Sequence, residues 1–417
     1  MPASAARTAT ITGMGVFTPV GRDLDQFFDA LCVGRSGIVN PPEGHPTFGA
    51  VDAAAIAPPI EAIEVLPPLA ARVVDRFLLM ALAAADDAIR DAKIEIGTDV
   101  DPYRVGVVVS TGVGGMSTYE QQSFGWQARG GNAVSPLLYP GFLPNMASAR
   151  IGIKYGIRGF SSSISTACAA GAHAIAEALR LIRDGECDVV VCGGAEAPFG
   201  GTGVAAFGNA RALAAGWADP THASRPFDVR RNGFVLGEGA GILVVESAEF
   251  AQARGARRYA DLIGWGATTD AYHPTMPRPD GHAAAEAMRK AVRSAGIAPG
   301  DVKYVNAHGT STKLGDQVEA TAIRAAFGDS PAVSSTKGVT GHLLGAAGAI
   351  EAIATVLTVD RGMIPGTANL DDPDPACDVD LVVKTRTGPV AAALSNSFAF
   401  GGHNVSLVFA EAGATAG

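Results

Sequence analysis

The apolar positions of this chain follow two alternating rhythms. Short unbroken runs, Arg104-Val-Gly-Val-Val-Val109, Asp188-Val-Val-Val-Cys192 and Gly241-Ile-Leu-Val-Val-Glu246, carry the mark of strands covered on both faces, as in parallel sheets. Between them, apolar residues recur every three or four positions. Residues 23–34 predict a helix closing near Gly34, and Arg72 to Ala92 a longer one with Val73, Phe77, Met80, Ala81 and Ala84 on one side. A third helix leaves Cys168, where Ile175, Leu179 and Ile182 keep helical spacing, Ala fills the turns and Gly185 can end it. The first strand, from Thr8, is expected to break at Gly13-Met-Gly15, and the one at 188–192 to end in Gly193-Gly194. Residues 40–70, rich in Pro and without a firm period, predict a surface excursion. Strands alternating with helices at these distances predict an α/β layered fold.

The second half begins the rhythm again. Ile263-Gly-Trp-Gly266 echoes Thr12-Gly-Met-Gly15, and Val302-Lys-Tyr-Val-Asn306 with His308-Gly-Thr310 echoes the strand and glycine turn at 104–115. A last strand pair, Ala393–Asn396 and Val405–Phe409, is hinged at Gly401-Gly402. Two similar α/β halves are therefore expected, residues 1–256 and 257–413, followed by a tail at 414–417.

Composition narrows the function. With 417 residues, 47% of them hydrophobic, a large core and an enzyme-like packing are within reach. A net charge of −9 argues against a general nucleic-acid binder, which carries a basic patch or stripe. Five cysteines, at 32, 168, 187, 192 and 377, form no C-x-x-C pair and no zinc spacing, so no metal is expected and the thiols read as reduced ones of a cytoplasmic protein. The first residues lack a hydrophobic signal core, and no apolar run reaches membrane-spanning length without Gly or charge, so no membrane association is expected.

Candidate chemistry starts at Cys168, placed on a turn before a largely apolar helix. Unpaired N–H groups and the positive end of the helix dipole meet a thiol there and can lower its pKa from about 8.5 to roughly 3.5–7.5. A buried structural cysteine fits the same stretch. Among eight histidines, His45, His222, His273 and His282 lie in polar or Pro-bearing stretches and read as surface residues, and His173 falls inside the helix as a structural one. His308 instead follows an apolar strand, and His342 lies in a polar turn before a Gly/Ala-rich helix. Open α/β sheets place their ligands at such ends, and small residues let a backbone or a narrow substrate approach.

Four blocks together resemble a known family: Thr166-Ala-Cys168, Asn306-Ala-His-Gly-Thr-Ser-Thr312, Ser335-Thr-Lys-Gly-Val-Thr-Gly-His-Leu-Leu-Gly-Ala-Ala-Gly348 and Asn396-Ser-Phe-Ala-Phe-Gly-Gly402. Their order and spacing are similar to those of the elongating β-ketoacyl-acyl-carrier-protein synthases. Ala223-Ser-Arg-Pro-Phe-Asp228 and Gly233-Phe-Val-Leu-Gly-Glu238 extend the likeness over nearly the whole chain. The resemblance implies a thiolase fold, whose duplicated halves give five layers, αβαβα. It implies Cys168 as acyl-accepting nucleophile, His308 and His342 completing a Cys-His-His site, and Lys337 and Glu351 as supporting charges. It also implies Phe400 as a gatekeeper whose N–H, with that of Cys168, forms an oxyanion hole. Thr310 and Thr312 would hold the phosphopantetheine arm, Phe398 would line the substrate site, and Val113 would line the far end of the acyl pocket beside a partner subunit.

The implied reaction is a decarboxylative Claisen condensation. An acyl thioester is transferred to the cysteine; malonyl thioester then loses CO₂ to give an enolate that two neutral imidazoles stabilise. Decarboxylation supplies the carbanion, so no metal or redox cofactor is expected, substrates being carried on the phosphopantetheine of acyl carrier protein. Glycine turns at 112–115 and 401–402 read as close-packing points, not phosphate loops. Three features depart from the family's common pattern: Lys313 where Pro is usual, His403 after Gly402, and few basic residues for the carrier, with Arg72 alone near 70, none at Gly130–Val134, and Arg211 retained. The expected partners are acyl carrier protein and either a second copy or a chain-length-factor-like subunit of a type II polyketide or polyene system. The alternative function is the non-catalytic chain-length factor itself, which typically lacks the cysteine present here. A degradative thiolase would need a second cysteine near the last glycine turn, and Cys377 sits in a polar loop that reads as surface.

Overall fold

In the computed structural model, which describes residues 7–68, 71, 73–329 and 331–413, the glycines of the two echoed motifs lie inside strands. The first strand runs without a break from Ala9 to Phe17, with a bulge between Ile11 and Gly13. A Cβ on Gly13 would fall 2.3 Å from the Ala88 carbonyl oxygen, and one on Gly15 2.0 Å from that of Ala84. The helix Arg76–Ala92 lies directly on this strand, and only residues without a side chain admit it there. Strand Ala260–Thr269 and helix His282–Ala295 repeat the arrangement: Cβ atoms on Gly264 and Gly266 would lie 2.4 and 2.2 Å from the oxygens of Ala291 and Ala287. The sequence echo is thus a packing echo, not a pair of turns.

Among the described residues eleven strands form one sheet, in the order Asp380–Leu381, Ala332–Ser334, Tyr304–Asn306, Ala392–Ala399, His403–Ala410, Ala260–Thr269, Ala9–Phe17, Gly239–Ser247, Val189–Glu196, Val105–Ser110, Ser161–Ser162. The seam between the halves is short, pairing Ala9, Thr10 and Ile11 with Leu262, Asp261 and Ala260. Outward from the seam each half has the same sequence of pairings: antiparallel, antiparallel, then parallel. Strand Val189–Glu196 continues through Gly193-Gly194 and, against the parallel expectation, runs antiparallel to Gly239–Ser247; both are buried throughout because helices cover both faces. Helices Arg76–Ala92 and His282–Ala295 form the outer layers, and Ala170–Arg183 and Ala347–Arg361 lie together between the half-sheets. The five layers are those expected of the fold.

The two central helices begin alike. Ala167–Ala169 and Leu344–Ala346 are 3₁₀ turns that lead into them, and Ala167 (φ 48°) and Leu344 (φ 44°) both hold the left-handed backbone that costs an L-residue about 1–2 kcal/mol. The sequence Ala-Ala-Gly-Ala follows in each, at 169–172 and 346–349. The helices cross at its glycines: a Cβ on Gly171 would lie 3.0 Å from the Ala349 nitrogen, and one on Gly348 2.9 Å from that of Ala172.

Other expectations change. The long helix starts at Arg76, where Asp75 accepts the Phe77 N–H; Arg72 and the tail at 414–417 lie outside the described residues. The 40–70 segment is not simply an excursion: Thr47, Ala54 and Ala55 are fully buried, and the Ala55 N–H donates to the Leu236 carbonyl at 2.9 Å. Cys377 is buried among the apolar residues of the second half, because the loop carrying it folds under the helix Lys313–Phe327. All five cysteines are free thiols. Among the described residues no helix is long and apolar enough to cross a membrane.

Candidate active site

Cys168 sits in the first 3₁₀ turn, at the head of a central helix, with only 8% of its surface exposed. Its own backbone N–H and that of Phe400 face the sulfur. Phe400 is carried there by the tip of the hairpin Ala392–Ala399/His403–Ala410, where Gly401 (φ 83°) and Gly402 (φ 72°) turn the chain in a conformation that favours glycine. A Cβ on Gly402 would also lie 2.8 Å from the Asp270 Cβ, so this turn is a close-packing point as expected.

His308 follows the strand Tyr304–Asn306. Glu319 fixes it by accepting the N–H groups of His308 and Gly309 at 2.8 and 2.7 Å. His342 lies just before the second 3₁₀ turn, bridged to Leu236; its N–H donates to the Val235 carbonyl at 2.7 Å. The two imidazoles meet edge to face, 5.2 Å between centroids at 84°. Behind them Lys337 is fully buried, donates to the His308 carbonyl at 2.5 Å and to the Glu351 carboxylate, and lies 3.5 Å from His308 Nδ1. An ammonium can only donate, so Nδ1 of His308 is the acceptor and the ring proton resides on Nε2.

A cavity of about 340 Å³ collects Cys168, His308, His342, Thr310, Thr312, Phe398 and Phe400 on one wall set. The Thr310 and Thr312 hydroxyls are 3.1 Å apart, and the Phe398 ring lies 6.2 Å from His308. Lys337 and Glu351 stand behind the wall. Val113 does not reach this cavity; it is 40% exposed, at the start of a face where helix Met116–Arg129 buries none of its residues.

Burial governs the charges. It pushes the Cys168 thiol up to about 12, and the Lys337 charge and the two N–H groups pull it down without winning. The lowered pKa expected from the helix terminus is reversed: desolvation of a thiolate outweighs the helix terminus and its N–H groups. Burial holds both His308 and His342 well below the ordinary imidazole value, with Lys337 adding to the effect. It also pushes Glu351 up to about 7 against the pull of Lys337. The resting site is therefore a thiol beside two neutral imidazoles, that of His308 holding its proton on Nε2, and two N–H groups aimed at one point.

The remaining histidines fall where their contexts placed them, with two additions. His45 is half-buried with its ring 5.0 Å from Phe199, and His173 exchanges a 2.8 Å hydrogen bond with the Thr166 hydroxyl, its ring 6.5 Å from that of His403. Arg211 is exposed. Two carboxylates escaped the sequence reading: Glu319, under His308, and Glu196, fully buried at the end of its strand. Each had a signal, an acid on the helix face that carries Ala320, Ile323 and Phe327, or one closing an apolar strand.

Residues 6–251 match the family described as "Beta-ketoacyl synthase, N-terminal domain", and residues 259–371 its C-terminal domain. A 3-oxoacyl-[acyl-carrier-protein] synthase 2 from Synechocystis sp. is 43% identical over 412 residues, covering 97% of this chain and 98% of its own. One from Vibrio harveyi is 43% identical over 408 residues with the same coverage. Among solved structures, a type II polyketide synthase acyl-carrier protein in complex with its hexaketide-bound ketosynthase matches with a TM-score of 0.90 at 32% identity, covering 98% of this chain and 100% of the other. The ishigamide ketosynthase/chain length factor matches equally well, TM-score 0.90 at 33% identity, with the same coverage.

Proposed function

This chain belongs to the β-ketoacyl synthase family, and we propose that it condenses malonyl thioester with an acyl chain held on Cys168, lengthening a carrier-bound chain by two carbons. The observation that carries the reading is the convergence of one thiol, two neutral imidazoles and two backbone N–H groups on one cavity.

In the first stage the Cys168 sulfur attacks the acyl thioester. As the sulfur attacks, its proton passes to the departing pantetheine thiolate, because the buried thiol is not ionised at rest. The oxyanion of the tetrahedral intermediate accepts from the N–H groups of Cys168 and Phe400, each such donor contributing about 3 kcal/mol. In the second stage the bond from the malonyl methylene to its carboxylate breaks, CO₂ leaves, and the electron pair becomes an enolate whose oxygen accepts from His308 and His342. The enolate carbon attacks the Cys168 thioester, and collapse of the second oxyanion expels the cysteine thiolate, which takes up one proton from solvent, its first having left on the pantetheine thiol. Lys337, paired with Glu351, holds His308 in the tautomer that donates through Nε2. This chemistry draws on no metal or redox cofactor; the acyl groups ride on the phosphopantetheine of an acyl carrier protein, with Thr310, Thr312 and Phe398 along its path and Phe400 at the gate.

We set the division between the thiolase-like halves at 256/257, in the segment joining helix Ala248–Ala253 to strand Ala260–Thr269. Tyr119, Phe124 and Trp126 stand exposed on the face beside Val113, and a partner subunit is assigned to cover them and close the acyl pocket. Identity of 43% to the 3-oxoacyl synthases against 33% to the ketosynthase/chain length factor favours a second copy as that partner. The heterodimeric polyketide ketosynthase is the second reading, on the thin basic surface offered to a carrier. Free thiols and carrier-bound substrates support a cytoplasmic location. The test is direct: acyl and malonyl carrier proteins mixed with the enzyme should release one CO₂ per β-ketoacyl product, and the native mass of the active species should be that of a homodimer. Absence of any β-ketoacyl product with a range of acyl lengths would refute the reading.

A further inference from the structure

Glu196 closes the apolar strand Val189–Glu196 and is fully buried. Its carboxylate accepts four donors, all uncharged: the Thr111 hydroxyl at 2.6 Å, the Gly112 N–H at 2.7 Å, the Gly345 N–H at 2.9 Å and the Val113 N–H at 3.4 Å. The Thr111 hydroxyl in turn accepts the Gly114 N–H at 3.1 Å. One carboxylate thus organises the whole 111–114 turn and joins it to the turn that follows His342. Nothing separates these turns: a Cβ on Gly345 would lie 2.2 Å from the Gly112 nitrogen, and one on Gly112 2.8 Å from Glu196 Oε2 and 3.5 Å from the Ala167 carbonyl oxygen. The turn carrying Val113, the turn behind His342 and the turn carrying Cys168 therefore meet at this group.

We propose that Glu196 is a positioning residue that ties the Val113 wall to the His342 and Cys168 turns and so sets which acyl chain lengths the cysteine accepts. The inference rests on the condensing reading above. Val113 is otherwise exposed, and its N–H donates to this carboxylate at 3.4 Å, so the wall follows the carboxylate. Besides burial, the negative charge of Glu196 pushes the Cys168 thiol up, so loss of the charge is also read at the sulfur.

The test uses the full-length enzyme, Glu196→Gln and Thr111→Val, with a mixture of short- and long-chain acyl carrier proteins and mass analysis of the chain left on Cys168. Glutamine turns one acceptor into a donor facing an N–H, so the ratio of long to short chains should change by about fivefold or more, the effect of one buried hydrogen bond. Loss of the charge should also speed iodoacetamide alkylation of Cys168 about threefold at about pH 9. Thr111→Val removes one bond and keeps the charge; it should shift the chain ratio in the same direction and leave alkylation unchanged. If Glu196→Gln folds and loads the same mixture of chains, the proposal fails whatever its alkylation rate. Should that variant not fold, an unchanged chain ratio in Thr111→Val refutes it. A wild-type enzyme that loads no chain on Cys168 would sink the condensing reading instead, a separate outcome.

Discussion

Two segments of this molecule are near copies that do different work. Ala167–Arg183 and Leu344–Arg361 share a left-handed first residue, a 3₁₀ turn, the Ala-Ala-Gly-Ala entry and a buried helix, and they cross at Gly171 and Gly348. At the position after the left-handed residue the first carries Cys168 and the second Gly345. The first N–H faces a sulfur; the second donates to a carboxylate, Glu196. The difference shows that the backbone kink belongs to the scaffold, and that chemistry enters by what one side chain adds to it. At Cys168 the kink faces a cavity that a substrate can enter. At Gly345 it faces its own protein, with no room for a single carbon.

Cys168→Ala should lower condensation by about 10⁵-fold or more, as loss of a nucleophile does elsewhere, while leaving the melting temperature within about 2 °C and some malonyl decarboxylation intact. Condensation assayed with carrier-bound substrates, beside calorimetry, checks both parts. His308→Ala and His342→Ala should each slow decarboxylation by about 10²–10³-fold, the loss of one preorganised donor, and still allow acylation of Cys168. Loss of acylation in both would move the imidazoles to the first stage only. Gly345→Ala, the twin of the cysteine change, should act on stability instead, by about 1–3 kcal/mol, because its Cβ meets the Gly112 nitrogen at 2.2 Å. Denaturant unfolding reads that; a Gly345→Ala protein as stable as wild type would mean the two sites are not packed as described.

The smallest effect concerns pH. A group whose pKa is lowered stays neutral until the pH falls below that lowered value. With both imidazoles held well below the ordinary range, decarboxylation by the Cys168→Ala enzyme should stay flat from about pH 8 to about pH 6. An inflection near 6.5 that persists in a Cys168→Ala/Glu351→Gln enzyme would mean that one histidine is not desolvated.

Much of this was legible in the chain. The apolar runs and helical periods placed the strands and central helices, and the four motif blocks named the residues that the fold brings to one cavity. What failed did so for physical reasons. Gly13, Gly15, Gly193 and Gly194 read as strand ends, because a local signal cannot tell a turn from a strand that a helix or a second strand must approach closely. The thiol read as acidic, because a helix terminus is visible in sequence and burial by distant segments is not. Glu196 and Glu319 stay hidden because their partners are backbone N–H groups up to about 150 residues away, which no periodicity reports.

The central claim is that Cys168, and not its counterpart segment, receives the acyl chain. The most direct measurement is peptide mass mapping after the enzyme meets an acyl carrier protein without malonyl substrate. The account predicts one acyl mass on the peptide containing Cys168, removed by hydroxylamine and absent from Cys168→Ala. An acyl group on Cys32, Cys187, Cys192 or Cys377, or full condensation with no acyl group on Cys168, would contradict it.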